Sequence, residues 1–320
     1  MTSAASPVVS VVIPTFNRVD LLPSTIESVL AQTFGDLEVL VVDDGSTDGT
    51  GDYVTSLTDP RVRYLRNEWS GLPAVNRNTG IRAARGEFIA FLDSDDLWLP
   101  EKLEKQVGFL RTNPGQSWCF CRHDIFHHET GLTSPGPVYE ETLTTPFAAH
   151  RLLYRCFIGS PTPLVRRNLL AQTGLFNEAP ELRFSEDWEF WLRLAAVQPG
   201  GFLPEALALY RVHPANSIKS TGIGQERARF MATIKTAVAQ NPAVYGTHAQ
   251  AAMRQMYLWL IKREIVDGRL REARALCTQA AVEAPYTPGL LALRILAALS
   301  AVLLAPLLRI RRQVQSLRNR

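Results

Sequence analysis

Cysteine is scarce in this chain of 320 residues, which has only Cys119, Cys121, Cys156 and Cys277. These four form no C-x-x-C pair and no cysteine–histidine spacing of the kind that binds structural zinc. The sequence therefore excludes the common zinc-binding modules. It indicates buried, free thiols in a reducing compartment.

Glycine-rich phosphate-binding loops are also missing. No G-x-G-x-x-G follows a predicted strand, which counts against a dinucleotide-dependent oxidoreductase. The segment PTFNRVD (14–20), after the first predicted strand, has no glycine either, which disfavours a nucleotidyltransferase. The formal net charge of +3 is too small to indicate a nucleic-acid partner.

Targeting signals are weak. The first ten residues, MTSAASPVVS, lack the basic and apolar regions of a signal peptide, so we expect a cytoplasmic protein. Residues 290–308 are almost wholly apolar apart from Arg294, and an arginine-rich stretch follows. This pattern predicts a helix held on the cytoplasmic face of a membrane from about residue 289; a helix docked on the rest of the chain, or a dimer contact, is the alternative. The oligomeric state is left open.

What the sequence does have is a regular alternation of strands and helices. Apolar runs at 8–16, 36–44 and 87–93 and the alternating segment 61–67 predict strands, and the amphipathic segments between them predict helices. Such alternation predicts an α/β fold with a mostly parallel sheet flanked by helices. Further strands are expected at 117–127 and 201–213, with a helix at 185–197 that has Ser185 as its N-cap.

The pattern becomes helical from about residue 223, and 251–285 resembles a helical hairpin around DGR. We therefore expect two domains, residues 1–220 and an all-helical region at 221–320.

Acidic residues follow two of the predicted strands. Asp43 and Asp44 end the second strand, and Asp93, Asp95 and Asp96 end the fourth. Ligands of open α/β sheets bind beyond the carboxyl ends of strands, so both groups should open onto one crevice. Carboxylates suit Mg²⁺ or Mn²⁺, which bind one or two protein acids together with substrate phosphates. Ordinary turn acids and helix caps are the alternative, with Asp96 capping the helix near residue 100.

Four segments together resemble a known family. VSVVIPTFNR, VVDDGSTDGT, NRNTGIRAARGEFIAFLDSDD and SEDWEFWLRL are similar, in order and spacing, to the inverting family 2 glycosyltransferases with the Rossmann-like GT-A fold. The resemblance covers about residues 8–213. It implies transfer of a sugar from a nucleotide-diphosphate sugar to a hydroxyl, in synthesis of a cell-surface glycan or lipid-linked saccharide. The Q-x-x-R-W pattern of processive synthases is absent, which implies addition of one sugar at a time.

The resemblance also implies roles for individual residues. The base of the inverting reaction would be Asp187, with Glu186 and Trp188 on the acceptor side. Mn²⁺ or Mg²⁺ would bind Asp95 and His213, and the imidazole favours Mn²⁺. The nucleotide sugar, with a UDP-sugar favoured through Asp44, would contact Pro14, Thr15, Asn17, Asp44, Arg77, Asn78, Asp93 and Ser94.

Several of these residues could instead have a purely structural role. Glu186 and Asp187 also suit a helix N-terminus through the dipole alone. Arg77 could be a solvated helix arginine, and Asp44 could cap the following helix. A binding module without turnover, or a nucleotidyltransferase, is therefore the alternative function. The acceptor itself is not indicated by the sequence.

Overall fold

The computed structural model describes residues 6–137, 148–216 and 222–284. These residues divide into two compact units, one with 6–152 and 156–216 and the other with 153–155 and 222–284. The predicted membrane-surface helix at 290–308 and the arginine-rich stretch lie outside the described residues. No helix in the described part of the chain is both long and apolar enough to cross a bilayer.

The first unit is built on one sheet, which has nine strands among the described residues. The strands are β1 (Val9–Thr15), β2 (Leu37–Asp43), β3 (Val62–Arg66), β4 (Phe88–Phe91), β5 (Leu97–Trp98), β6 (Trp118–His127), β7 (Leu132–Ser134), β8 (Leu164–Arg166) and β9 (Gly201–Val212). Their order is β3-β2-β1-β4-β8-β6-β9-β5, with β7 paired to β6.

The sheet is parallel where strands and helices alternate and mixed beyond that. β1 pairs in parallel with β2 and β4, and β2 with β3. β8 runs antiparallel to both β4 and β6, whereas β6 and β9 are parallel. The α/β class predicted from the sequence is confirmed, and the strand expected at 201–213 is present as β9.

Helices cover the sheet and form the second unit. Those of the first region are α1 (Leu22–Leu30), α2 (Thr50–Ser56), α3 (Pro73–Ala83), α4 (Lys102–Thr112), α5 (His150–Tyr154), α6 (Leu170–Thr173) and α7 (Glu186–Val197). The later ones are α8 (Ile223–Gln240), α9 (Pro242–Tyr245), α10 (Ala249–Val266) and α11 (Leu270–Glu283).

The core follows from the β-branched runs. All seven residues of β1 and all seven of β2 are buried, as expected for strands covered on both faces. Leu22, Ile26 and Val29 of α1 recur at helical spacing and face this core. Cys119 and Cys121 of β6 are fully buried, and burial raises the pKa of both thiols. The prediction of buried free thiols is therefore confirmed for this pair.

In the second unit, α10 and α11 form the predicted helical pair. Tyr257 of α10 is fully buried, and its hydroxyl donates to the carboxylate of Glu283 at the end of α11. Arg227 of α8 donates to the same carboxylate at 3.0 Å. One partly buried polar cluster therefore joins three helices of this unit.

Two predicted caps are not formed. Ser185 precedes α7, but its hydroxyl donates to the carbonyl oxygen of Leu182 and caps no helical N–H. Asp96 does not cap α4; its Oδ1 accepts from the backbone N–H of Arg211, 2.9 Å away at the end of β9. In both cases a partner outside the helix takes the side chain that local sequence assigned to a cap.

Candidate active site

The carboxyl ends of β1, β2 and β4 open onto one cleft with a cavity volume of about 460 Å³. This size is typical of small-molecule sites. The start of α7 and the end of β9 close the other sides of the cleft. The two acidic clusters that follow β2 and β4 are therefore brought together, as the strand-end argument predicted.

Asp93, Ser94 and Asp95 form the DSD turn after β4, and all three line the cleft. Helix α1 contacts this turn through Thr25. The buried hydroxyl of Thr25 lies 3.1 Å from the carbonyl oxygen of Ser94 and 2.9 Å from that of Asp96. The backbone of the turn is therefore held while the carboxylates of Asp93 and Asp95 remain partly exposed to the cleft.

Two opposing effects act on Asp96, the third acid after β4. Burial, together with the charges of Asp95 and Asp93, favours its neutral form and raises its pKa well above the usual range. Arg211 is 2% exposed, and its backbone N–H and positive charge favour a negative Asp96. Its guanidinium is fixed by a 2.7 Å hydrogen bond to the hydroxyl of Ser24.

Asp95 and His213 form the pair that the sequence assigned to a metal. Oδ2 of Asp95 lies 3.0 Å from Nε2 of His213 and 3.8 Å from Nε of Arg18. The backbone N–H of His213 donates to Oδ1 of Asn216 at 2.6 Å, which fixes the histidine at the end of β9. A carboxylate and an imidazole in contact at the edge of a cleft fit Mn²⁺ in donor type.

Within the described residues, no group of three or more His, Cys, Asp and Glu is arranged to hold a metal ion. Divalent cations in nucleotide sites take one or two protein ligands and leave the other positions to phosphate and water. A pair of side chains such as Asp95 and His213 is therefore compatible with a cation bound jointly with a diphosphate.

Pro14, Thr15 and Asp44 also line the cleft. Asp44 is 3% exposed, and both of its carboxylate oxygens are used. Oδ1 accepts from the N–H and hydroxyl of Ser70 at 3.0 and 2.8 Å, and Oδ2 accepts from the N–H of Gly71 at 2.8 Å. Asp44 thus fixes the loop after β3 and does not cap α2, which corrects the capping alternative.

Asn17 and Asn78 were predicted to contact the nucleotide, but neither lines the cleft. Asn17 has a positive φ of 50°, and its Oδ1 accepts from the backbone N–H of Thr47 at 2.9 Å. Asn78 is 1% exposed, and its amide exchanges hydrogen bonds with the backbone of Phe176. Both side chains hold loops that border the cleft, so a structural role accounts for their contacts.

Glu186 and Asp187, at the start of α7, both line the cleft. Oδ1 of Asp187 accepts from the N–H of Trp188 at 2.7 Å. Burial and then the negative charge of Glu186 raise the pKa of Asp187 to about 7, against the opposing positive charge of Arg77. A carboxylate with this pKa can accept a proton at neutral pH and release it again, as a general base must.

Trp188 was predicted on the acceptor side, but it is 5% exposed and does not line the cleft. Its indole N–H donates to the carbonyl oxygen of Leu152 at 2.8 Å. Trp191, one turn later, is fully buried. Both rings therefore anchor α7 in the core, and the structure does not present either as a stacking surface in the cleft.

Arg77 of α3 is 4% exposed, which corrects the reading of a solvated helix arginine. Its Nη1 donates to Oε1 of Glu186 at 2.5 Å, and its Nη2 donates to Oδ1 of Asp93 at 2.7 Å. The acids beside it raise the pKa of Arg77. The arginine is therefore shared between the DSD turn and α7.

Several cleft residues were not singled out from the sequence: Phe16, Arg18, Trp69, Arg183, Phe184 and Tyr210. Phe16 and Trp69 are 41% and 66% exposed, which is unusual for large aromatic side chains. Phe184 has a positive φ of 67°, uncommon for a bulky residue. Position offers a signal only for Phe16 and Arg18, which lie inside the PTFNR segment, and for Phe184, which directly precedes SED.

The chain is similar to known proteins in sequence and in fold. The family described as glycosyl transferase family 2 matches residues 10–173. TuaG of Bacillus subtilis, a putative teichuronic acid biosynthesis glycosyltransferase, is 34% identical over 217 residues, covering 67% of this chain and 82% of TuaG. WfgD of Escherichia coli, a UDP-Glc:alpha-D-GlcNAc-diphosphoundecaprenol beta-1,3-glucosyltransferase, is 33% identical over 186 residues, covering 58% of this chain and 69% of WfgD.

Some relatives are much longer. An uncharacterized glycosyltransferase of Rickettsia felis is 35% identical over 211 residues, which is 64% of this chain and 33% of that protein. The chain therefore spans about a third of the length of that relative.

Solved structures share the fold. S. aureus TarS 1–349 in complex with UDP has a TM-score of 0.58 and 25% identity, covering 77% of this chain and 70% of TarS 1–349. The mannosyltransferase PcManGT from Pyrobaculum calidifontis, in complex with GDP-Man and Mn²⁺, has a TM-score of 0.60 and 20% identity, covering 98% of this chain and 85% of its own. The predicted GT-A-like fold is confirmed, and with the family match over 10–173 the chain belongs to glycosyl transferase family 2.

Proposed function

We propose that this protein is a non-processive, inverting glycosyltransferase that moves one sugar from a nucleotide-diphosphate sugar to a hydroxyl of a lipid-linked or cell-surface glycan. One observation carries the proposal: Asp187 lines the same cleft as Asp93 and Asp95. The acceptor hydroxyl needs a base, which α7 carries, and the diphosphate donor needs a cation site, which the acidic turn after β4 offers. In an inverting transfer these two groups act on opposite sides of the transferred sugar.

The chemistry assigned to this chain is a proton transfer. The acceptor oxygen attacks the anomeric carbon, its proton passes to the carboxylate of Asp187, and the bond from the anomeric carbon to the diphosphate oxygen breaks on the opposite face. Oε2 of Glu186 is buried and has no hydrogen-bond partner among the described residues. It is therefore available to accept a hydrogen bond from the acceptor and to orient it toward Asp187.

Asp95 and His213 are the side chains that would hold Mn²⁺ or Mg²⁺, since they meet at 3.0 Å beside the cleft. A bound divalent cation would stabilise the negative charge on the departing diphosphate. Arg18, 3.8 Å from Asp95, places a further positive charge at the same end of the cleft.

A UDP-sugar is the proposed donor, and a diphosphate-linked lipid saccharide is the proposed acceptor. The TarS structure at 25% identity is a complex with UDP, and WfgD is described as using UDP-Glc and a GlcNAc-diphosphoundecaprenol acceptor. Asp44 and the exposed Trp69 both line the cleft, and the indole ring offers a surface on which a planar base can stack. We place the protein on the cytoplasmic side of the membrane, where nucleotide sugars are made.

The test is an assay of the purified full chain with UDP-Glc, UDP-GlcNAc and GDP-Man, with Mn²⁺ or with EDTA. The acceptor is GlcNAc linked through α-diphosphate to a synthetic lipid. We expect Mn²⁺-dependent release of UDP that needs the acceptor, and a product whose new linkage is β when the donor linkage is α. Formation of UTP and a sugar 1-phosphate when inorganic diphosphate is added to a UDP-sugar would instead support a nucleotidyltransferase. Binding of the nucleotide sugars without product would support the binding module.

A further inference from the structure

Arg77 occupies a position between the two groups of acids in the cleft. Asp93 belongs to the DSD turn after β4, and Glu186 lies 109 residues further along than Arg77, at the start of α7. The guanidinium reaches both, at 2.7 and 2.5 Å, and its Nη2 is also 3.3 Å from the hydroxyl of Ser160. One buried cation therefore contacts both the DSD turn and the start of α7.

The helix that carries Arg77 is held close to the sheet. Gly80 lies three residues later on α3, and a Cβ added there would be 2.4 Å from Cγ1 of Val12 on β1. Only glycine allows this approach of a helix to a strand. The height of α3 above the sheet, and with it the position of Arg77, is therefore fixed by packing and not by the ion pairs alone.

The hydrogen bonds that Arg77 makes are directed at protein groups. Nη1 donates to Glu186 and Nη2 donates to Asp93 and Ser160, while the Nε–H is buried and has no partner among the described residues. A carboxylate left without its buried partner carries an uncompensated charge, which is strongly unfavourable. Loss of Arg77 would thus disturb Asp93 and Glu186 together.

We infer that Arg77 is a positioning residue, which holds Asp93 and Glu186 at a fixed separation so that donor sugar and acceptor hydroxyl meet beside Asp187. The inference rests on the proposed function, because it assigns the two carboxylates to the two substrates. It predicts that Arg77 acts through Glu186 and not through direct contact with the nucleotide.

A double-mutant cycle tests this. Arg77→Met and Glu186→Gln are each expected to lower kcat/KM about tenfold or more, and the double variant to lose no more than Arg77→Met alone. The control is Arg82→Met, because Arg82 is on the same helix with a side chain 60% exposed and 3.8 Å from Glu178. Losses from Arg82→Met and Glu186→Gln should simply add. Additive losses for Arg77 and Glu186 in an active enzyme would overturn the inference.

The pH dependence of kcat/KM distinguishes this role from a merely structural one, which would leave the pH profile unchanged. Asp187 faces Glu186 on its own helix, Arg77 on α3 and Asp93 after β4, and Arg183 lines the same cleft. Arg77→Met removes a positive charge, so the acidic limb of kcat/KM should move up by about one to three pH units. Glu186→Gln removes a negative charge and should move it down. Limbs that do not move would contradict the inference.

Arg77→Lys covers the case in which Arg77→Met does not fold. Lysine keeps the charge but cannot direct two bonds to separate carboxylates. We expect a lowered kcat, an acidic limb close to that of the wild type, and a Kd for UDP within a few-fold of the wild type. A Kd raised more than about tenfold with kcat unchanged would assign Arg77 to donor binding and overturn the inference. A wild-type protein that transfers no sugar would instead refute the proposed function.

Discussion

The carboxylate of Asp95 and the imidazole of His213 lie 3.0 Å apart although 118 residues separate them in the chain. Asp95 lies in the turn after β4, and His213 follows β9, which belongs to the mixed part of the sheet. The sheet therefore brings together a carboxylate and an imidazole that are far apart in the sequence.

This pair predicts metal-dependent donor binding. Asp95→Asn should weaken the binding of UDP in the presence of Mn²⁺ by about tenfold or more, because the loss of a ligand charge weakens the cation that bridges to the diphosphate. In EDTA the variant and the wild type should bind UDP equally. Titration calorimetry in both buffers checks this, with Asp52→Asn as the control because Asp52 is an exposed acid on α2. Equal weakening of UDP binding in EDTA would contradict the metal role.

Asp187 predicts the pH dependence of transfer. Its raised pKa of about 7 means that the carboxylate is protonated, and unable to act as a base, in acidic solution. We expect kcat/KM to be half-maximal near pH 7 and to fall about tenfold per pH unit below that. Rates measured from pH 5 to 9 at saturating Mn²⁺ check this. A profile that is flat down to pH 5 would show that a different group, or none, takes the proton.

The buried Lys102 lies outside the cleft and should make the free energy of unfolding depend on pH. It is fully buried, its ammonium donates to Gln106 and lies 4.0 Å from the centre of the Trp98 ring, and no carboxylate among the described residues pairs with it. Burial lowers its pKa from 10.5 to about 8, so the folded protein binds this proton less tightly than the unfolded chain does. The stability that follows is fully present above the ordinary pKa of 10.5 and is lost as pH falls from there to about 8.

Lys102→Met should therefore change the free energy of unfolding, relative to the wild type, in a pH-dependent way. The substitution raises the free energy of unfolding most at pH 7, and this gain should shrink by about 3 kcal/mol as pH rises past 10. Urea unfolding of both proteins at pH 7 and pH 10 measures the difference. A stability difference independent of pH would show that Lys102 keeps its ordinary pKa in the folded state.

Removing the hydroxyl of Thr25 should destabilise the DSD turn without changing any charge. Thr25→Val keeps the shape of the side chain but leaves the buried carbonyl oxygens of Ser94 and Asp96 without their hydroxyl donor. We expect a loss of about 1–3 kcal/mol in the free energy of unfolding and a lower transfer rate. Thr55→Val is the matched control, since Thr55 donates to a backbone carbonyl on the exposed face of α2. If both variants behave alike, Thr25 does not support the turn.

The sequence was sufficient for the parallel half of the fold and for the acids of the cleft. Apolar runs such as 8–16 are long and β-branched, so their period and burial are unambiguous. The acids at the ends of β2 and β4 could be placed in one cleft because parallel strands share a carboxyl edge. The antiparallel pairing of β8 with β4 could not be predicted, since a strand of three residues has no readable period.

Side-chain partners were less predictable than positions. Trp188 follows Asp187 directly, yet it turns into the core, because adjacent residues on a helix point in different directions. Arg77 looked like a solvated or phosphate-binding arginine, since its partner Glu186 lies 109 residues away. Such pairings depend on how α3 and α7 pack, which local sequence does not state.

We propose Asp187 as the base of a transfer reaction in a cleft that it shares with the DSD turn. The most direct test of this role is a single-turnover transfer assay of Asp187→Asn, with UDP affinity measured on the same preparation and Glu181→Gln, an exposed acid before α7, as the control. We predict that Asp187→Asn lowers the transfer rate at least about a thousandfold while the Kd for UDP stays within a few-fold and Glu181→Gln remains active. A transfer rate close to that of the wild type in Asp187→Asn would contradict the account.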